Sequence, residues 1–189
     1  MKRNRGFTLI ELVVVVLILT LMTGLAVTRI DFLVPKYRLR AATRQTAAAL
    51  QQARSTAAAT GRDVFVRIHL SEGKYELLVP MPKEDAEGQL AGLPPELQPP
   101  VEFEFQSVFA RDLHEGPEFV NVILGTEADQ TVTSGRAQVR ISPFGASDHV
   151  IVNFRYEEKR AALRLNGLTG GLEFFETEKQ ADDLLEDHD

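Results

Sequence analysis

The chain has 189 residues, a formal charge of −6 and no cysteine. The lack of cysteine excludes disulfides, thiol catalysis and cysteine metal sites, and the acidic balance argues against a generic nucleic-acid binder. Setting the apolar N-terminal segment apart leaves about 160 residues, enough for one compact domain and a helical stalk.

That segment comes first in the chain. Lys2, Arg3 and Arg5 precede it, and from residue 7 to residue 27 the one ionisable side chain is Glu11. As a helix those residues would be roughly 31 Å long at about 1.5 Å per residue, against a bilayer core of about 30 Å. The pattern predicts a single membrane-spanning helix over 7–27, with the basic flank keeping the N-terminus in the cytoplasm. Glu11 is the anomaly, because a lone carboxylate in a membrane helix costs on the order of 2.5–3.5 kcal/mol and usually has a functional partner. Cleavage between Gly6 and Phe7 would create such a partner, the α-amine of Phe7, one helical turn from Glu11. The amine of one subunit could then meet the carboxylate of its neighbour within the lipid.

The run Gly6-Phe7-Thr8-Leu9-Ile10-Glu11 after a short basic leader resembles the class III signal of type IV pilins and type II secretion pseudopilins. The resemblance implies a leader peptide at 1–6, removed by a prepilin peptidase that cuts after Gly6 and N-methylates Phe7. It implies that Glu11 serves assembly. The partners it implies are other pilins or pseudopilins along the N-terminal helix, the peptidase and inner-membrane lipid.

Residues 28–61 are read as the outer half of the same helix. Pro35 should kink or loosen it, and Gly61 is its expected stop. Leu39, Ala42 or Thr43, Ala47, Leu50, Ala53 and Ala57 recur at steps of three and four, a narrow stripe of small side chains suited to close packing on a sheet. From residue 62 the period changes to two. Val64, Val66, Ile68 and Leu70 alternate with Phe65, Arg67 and His69, as in a half-buried strand, and a returning strand is expected over 75–79. Prolines and glycines make 81–100 a long loop. Further strands are expected at 101–106, 118–124, 136–141, 149–156, 161–165 and 172–175, with a polar connection over 125–135 and a tight turn over 142–148. The predicted class is α+β: a long N-terminal helix, membrane-spanning in its first half, packed on an antiparallel β-sandwich head over 62–176.

Pro143-Phe144-Gly145, an alternating strand, a charged turn, then Leu163-Arg164-Leu165 with Thr169-Gly170 resemble the C-terminal pattern of the GspH/FimT group of minor pilins. That pattern commonly continues Thr-Gly-Arg, whereas Gly171 stands at the arginine position here. The last stretch, 177–189, is an acidic tail opposed by Lys179 alone, a composition typical of a solvated, disordered segment.

Other constellations carry no chemistry in the sequence. His69, His114, His149 and His188 are scattered without zinc-ligand spacing. Ser147-Asp148-His149 are consecutive in a turn, where triad residues do not converge. No calcium-loop spacing is present, and Gly170-Gly171 lacks the Gly-Lys-Ser/Thr of a phosphate loop. The resemblance therefore implies a minor pseudopilin of the type II secretion pseudopilus: a non-enzymatic subunit anchored once in the inner membrane with its head in the periplasm. No cofactor, metal, small-molecule substrate or nucleic acid is expected. The alternative is a FimT-like minor pilin of a type IV pilus, acting in pilus assembly or DNA uptake.

Overall fold

The computed structural model of the protein describes residues 7–30, 34–82, 103–113, 116–125 and 130–184. Gly6 and the leader, nearly all of the proline-rich loop, the start of the strand expected at 101, part of the connection over 125–135, His114, His188 and residues 185–189 lie outside the described residues. Two compact units are distinguished, Met1–Tyr37 and Arg38–Asp189.

Helix α1 of the first unit runs Leu9–Ile30. Its threonines are satisfied within the helix: the Thr20 hydroxyl donates to the Val16 carbonyl at 2.8 Å and that of Thr23 to the Leu19 carbonyl at 2.7 Å. Such back-bonding removes the cost of a hydroxyl in apolar surroundings. Side chains of α1 are described as far as Thr23. Among the described residues no helix is long and apolar enough to cross a membrane.

Helix α2 spans Val34–Thr60. Pro35 lies at the described start of this helix, and residues 31–33, on which the expected kink or loosening bears, lie outside the described residues. Gly61 follows at φ 64°, a left-handed stop that glycine adopts without Cβ strain. The predicted stripe is the buried face: Leu39, Ala42, Ala47, Leu50, Ala53 and Ala57 all lie in the core, joined by Ala49, Thr43 and Thr46. The buried Thr46 hydroxyl donates to the Ala42 carbonyl at 3.1 Å.

Among the described residues the second unit carries nine strands: β1 Val64–His69, β2 Lys74–Pro82, β3 Phe103–Asp112, β4 Glu118–Gly125, β5 Gln130–Val132, β6 Arg136–Ile141, β7 His149–Tyr156, β8 Lys159–Leu165 and β9 Leu172–Phe175. They form two antiparallel sheets, ordered β3-β2-β1-β6 and β5-β4-β7-β8-β9. The inner faces of both sheets, with Val66, Leu77 and Val139 from one and Val122, Val152 and Leu163 from the other, join the α2 stripe in one core. Three strands depart from expectation, the first being β2, which runs on to Pro82 and into the start of the expected loop. Strand β3 continues to Asp112 past a bulge opposite Leu77 and Leu78, which lets the exposed edge outrun its alternation. Strand β5 forms inside the expected connection, held to β4 by pairs such as Val122 with Val132.

The acidic end also differs from the solvated tail expected for it. As far as Leu184 it is docked on the outer face of the second sheet, where a 3-10 turn, Ala181–Leu184, brings Leu184 into a small second core with Ile123, Ile151 and Ala162. One buried leucine and several ion pairs offset the solvation of the acidic side chains. Net charge alone does not register those anchors.

Ala53 is fully buried in the helix stripe. Ala53→Leu should destabilise the head by about 1–3 kcal/mol, the usual cost of overpacking. Gln52→Leu, one residue away and exposed, should leave stability nearly unchanged. Thermal unfolding of the two variants compares them directly, and equal melting temperatures would mean that the stripe does not seat the helix.

Candidate functional site

At the N-terminus, Phe7 is 78 % exposed. Thr8 immediately precedes the first residue of α1, and its contacts with Glu11 are reciprocal. The Thr8 N–H donates to Glu11 Oε2 at 3.3 Å, the Thr8 hydroxyl donates to the same oxygen at 3.3 Å, and the Glu11 N–H donates to Thr8 Oγ1 at 3.3 Å. This is a capping box. The carboxylate lies at the positive end of the helix dipole and satisfies a backbone donor that the helix leaves open. The structure thus brings Glu11 and Thr8 together beside Phe7, while Gly6 falls outside the described residues. The spacing Thr8-Leu9-Ile10-Glu11, a threonine three residues before a glutamate, is the sequence signal of that cap. Beyond this turn the helix is apolar all round and exposed all round, from Leu9 through Val14, Ile18 and Met22. A helix of that kind buries its surface in lipid or in other helices.

In the head, His69, on which the sequence set no function, joins an ion cluster on the outer face of the first sheet. Glu76 Oε1 lies 3.2 Å from Arg67 Nη1 and 3.0 Å from His69 Nε2. Burial pushes the Glu76 carboxyl up, but hydrogen bonds from His69 and Ser107 and the charges of Arg67 and His69 outweigh it. The net effect holds it below the usual glutamate range. Asp148 and His149 are turned to separate partners, while the buried Ser147 hydroxyl meets none among the described residues. Asp148 Oδ2 accepts the Arg140 N–H at 2.9 Å, and His149 Nδ1 accepts the Gly167 N–H at 3.3 Å. Among the described residues no group of three or more His, Asp or Glu could hold a metal ion.

Arg54 was not singled out by the sequence. It reaches from α2 to the loop between β8 and β9, its guanidinium 3.5 Å from the Thr169 carbonyl, and it lies where a Cβ on Gly170 would stand. Gly170, at φ 70°, is therefore required twice, for its backbone and for the space. The arginines of the late strands face carboxylates: Arg155 pairs with Glu118 at 2.6 Å, Arg160 with Glu178, and the buried Arg164 with Glu173 at 2.8 Å.

Comparisons with known proteins bear on both ends of this arrangement. Residues 1–27 match the family model of the prokaryotic N-terminal methylation motif. Residues 42–171, more than half of the chain, match that of the type II transport protein GspH. No curated protein matches the sequence. Among solved structures, the fold is similar to that of the minor pseudopilin EpsH from the type 2 secretion system of Vibrio cholerae. The two share 13 % identity and a TM-score of 0.48, over 74 % of this chain and 97 % of that one.

The lowered Glu76 acidity sets a pH dependence. A depressed carboxyl stabilises the fold fully above its unfolded value, about 4.3 for glutamate. That stabilisation is lost as pH falls through the lower folded value. Glu76→Gln should therefore lower stability at neutral pH and flatten the acid limb below about pH 4. Urea unfolding midpoints across that range measure both effects. Parallel acid limbs in the two proteins would show that Glu76 is not linked to folding.

Proposed function

We propose that this chain, which belongs to the GspH family of type II transport proteins, is a minor pseudopilin of type II secretion and works as a non-enzymatic filament subunit anchored in the inner membrane by its N-terminal helix. The observation that carries this is the joint match of one chain to a methylation motif at 1–27 and a GspH domain at 42–171. Pseudopilin membership implies association with other pseudopilins, and the exposed apolar surface of α1 is the element suited to it. The type IV pilus alternative is not favoured by the family assignment.

In the proposed working form, the prepilin peptidase removes residues 1–6 after Gly6 and methylates the new amine at Phe7. Residues 7–27 enter the inner membrane before that cut, while the attached basic leader sets the cytoplasmic side. The span needs about 20 apolar residues. That length is reached when residues 24–27 are counted with the described side chains up to Thr23. The head lies in the periplasm. Glu11 has two jobs in this reading. It caps its own helix through Thr8, and it presents a carboxylate to the Phe7 amine of a neighbouring subunit, a pairing that desolvation in lipid strengthens. Three of the candidate phosphate contacts, Arg155, Arg160 and Arg164, are matched to Glu118, Glu178 and Glu173.

Intact mass of the membrane-extracted protein should correspond to a chain starting at Phe7 with one added methyl group. A chain retaining Met1 to Gly6 in cells that contain the peptidase would remove the basis of the reading. Glu11→Gln keeps an acceptor for the capping box but removes the charge, while Glu11→Leu removes both. Both variants should insert in the membrane as well as the unaltered chain or better, and both should lose cross-linking to the major pseudopilin. Normal cross-linking in Glu11→Gln would reduce Glu11 to a helix cap.

DNA provides the second test. Non-specific affinity comes from lysine and arginine neutralising phosphates and falls steeply with salt. The protein should show no appreciable binding in a fluorescence-anisotropy titration at physiological salt. Micromolar binding that weakens with salt and disappears in Arg160→Ala plus Arg164→Ala would favour a DNA-uptake pilin instead.

A further inference from the structure

The central strands of the second sheet are buried on both faces. Inward residues Val150, Val152, Leu163 and Leu165 belong to the main core, yet the outward Ile151, Asn153, Ala162 and Arg164 are also buried. The cover is the chain's own C-terminal segment, 176–184, and the way it is held is specific.

Asn153 is fully buried and addresses the peptide groups of Lys179. Its Nδ2 donates to the Lys179 carbonyl at 2.8 Å and its Oδ1 accepts the Lys179 N–H at 3.0 Å. A second Nδ2 bond, 2.8 Å to Asn121 Oδ1, fixes the amide orientation. An asparagine thereby imitates a neighbouring strand. Arg164 Nη1 donates to the Asp183 carbonyl at 2.7 Å, again a backbone contact, while its Nη2 holds Glu173. Leu184 fills the socket of Ile123, Ile151 and Ala162, with Phe175 and Ala181 packed beside it. Around these anchors the charges are complementary: Glu178 meets Arg160, and Glu176 lies 2.5 Å from Arg40. Within the segment, Asp183 accepts from the Lys179 ammonium at 2.8 Å and from the Gln180 N–H at 2.7 Å, contacts that hold its carboxyl below the usual range.

Two backbone readers, one apolar socket and a basic rim are the parts of a peptide-binding groove. What they read is a short acidic stretch of backbone that ends in a turn placing a leucine in the socket. The segment occupies the groove because its tether gives it a high effective concentration. We propose that the outer face of the second sheet is a binding site for short acidic segments that end in a leucine-bearing turn, held closed in cis by residues 176–184, and that in the assembled filament it takes such a segment from a neighbouring protein. Arg160, Arg164 and Asn153 would keep their present bonding types, with the partner's backbone and carboxylates replacing the chain's own. The proposal concerns the head alone and stands independently of the N-terminal processing.

The test uses the full-length chain in detergent and a fluorescent synthetic peptide with the sequence of residues 176–189. If the groove is closed most of the time, the apparent affinity of the unaltered chain is reduced by the open fraction, so Leu184→Asp, which ejects the cis anchor, should bind the peptide at least about tenfold more tightly. Adding Asn153→Ala should abolish the gain. Should that variant fail to fold, Ala162→Met, which fills the leucine socket, should do the same. A scrambled peptide of equal composition should bind no better than it does to the unaltered chain. Equal affinity of the unaltered and Leu184→Asp chains would overturn the cis closure. Equal binding of the scrambled peptide would reduce the site to charge attraction and overturn the groove. A dimer of the unaltered chain formed by exchanging C-terminal segments, seen by light scattering, would overturn the assignment to a neighbouring protein.

Discussion

The head depends on how closely α2 can approach its sheets. Ala42, Ala47, Ala53 and Ala57 line the buried face, and a side chain of one carbon lets the helix backbone lie near the strands without a void. Leu39 and Leu50 supply the bulk, and the branched residues of the strands supply the rest of the core. Interiors close-packed to crystal density tolerate little change in volume. The small residues therefore set the helix position, and through it the place of Arg54 against Gly170. Arg54 couples the helix to the loop between β8 and β9, the region where the family pattern carries a basic residue and this chain has Gly171. The positive charge at that loop comes from the helix instead.

A second constraint is the fate of the outer sheet faces. The first sheet leaves its outer face to a mixed cluster, Arg67, His69 and Glu76 beside Phe65 and Phe105, whose rings meet edge to face at 5.0 Å. The second sheet covers its outer face with the chain's own end. The difference follows from residue type. Ile151 and Ala162 need cover from water, while the outward residues of β1 are charged or aromatic and tolerate partial exposure. The acidic segment is thus a structural part of the head as far as Leu184, and its carboxylates answer Arg160 of β8 and Arg40 of the helix.

At the N-terminus, one residue reconciles two demands. Glu11 is costly in an apolar helix, yet the start of a helix is where a carboxylate is best tolerated, because open N–H groups and the dipole both favour it. The capping box through Thr8 gives the charge a partner within its own helix, which lowers the cost of a lone carboxylate in this apolar segment.

Much of this was legible in the sequence because it is local. The Gly6-to-Glu11 motif is contiguous. The stripe from Leu39 to Ala57 and the alternation from Val64 to Leu70 are read from periods of 3.6 and 2, and the family assignment rests on the same kind of information. The Thr8–Glu11 cap was equally local and equally readable. The near-continuous apolar run Val150-Ile151-Val152 was a hint that β7 is covered on both sides, but a run cannot say what covers it. The docking of Leu184 among Ile123, Ile151 and Ala162, the reading of Lys179 by Asn153, the formation of β5 and the seat of Arg54 over Gly170 join residues far apart in the chain. Periodicity along the sequence determines which side of an element is apolar. Only the packed tertiary structure decides which distant segment meets it, because that choice depends on shape and on buried polar partners, neither of which a linear pattern carries.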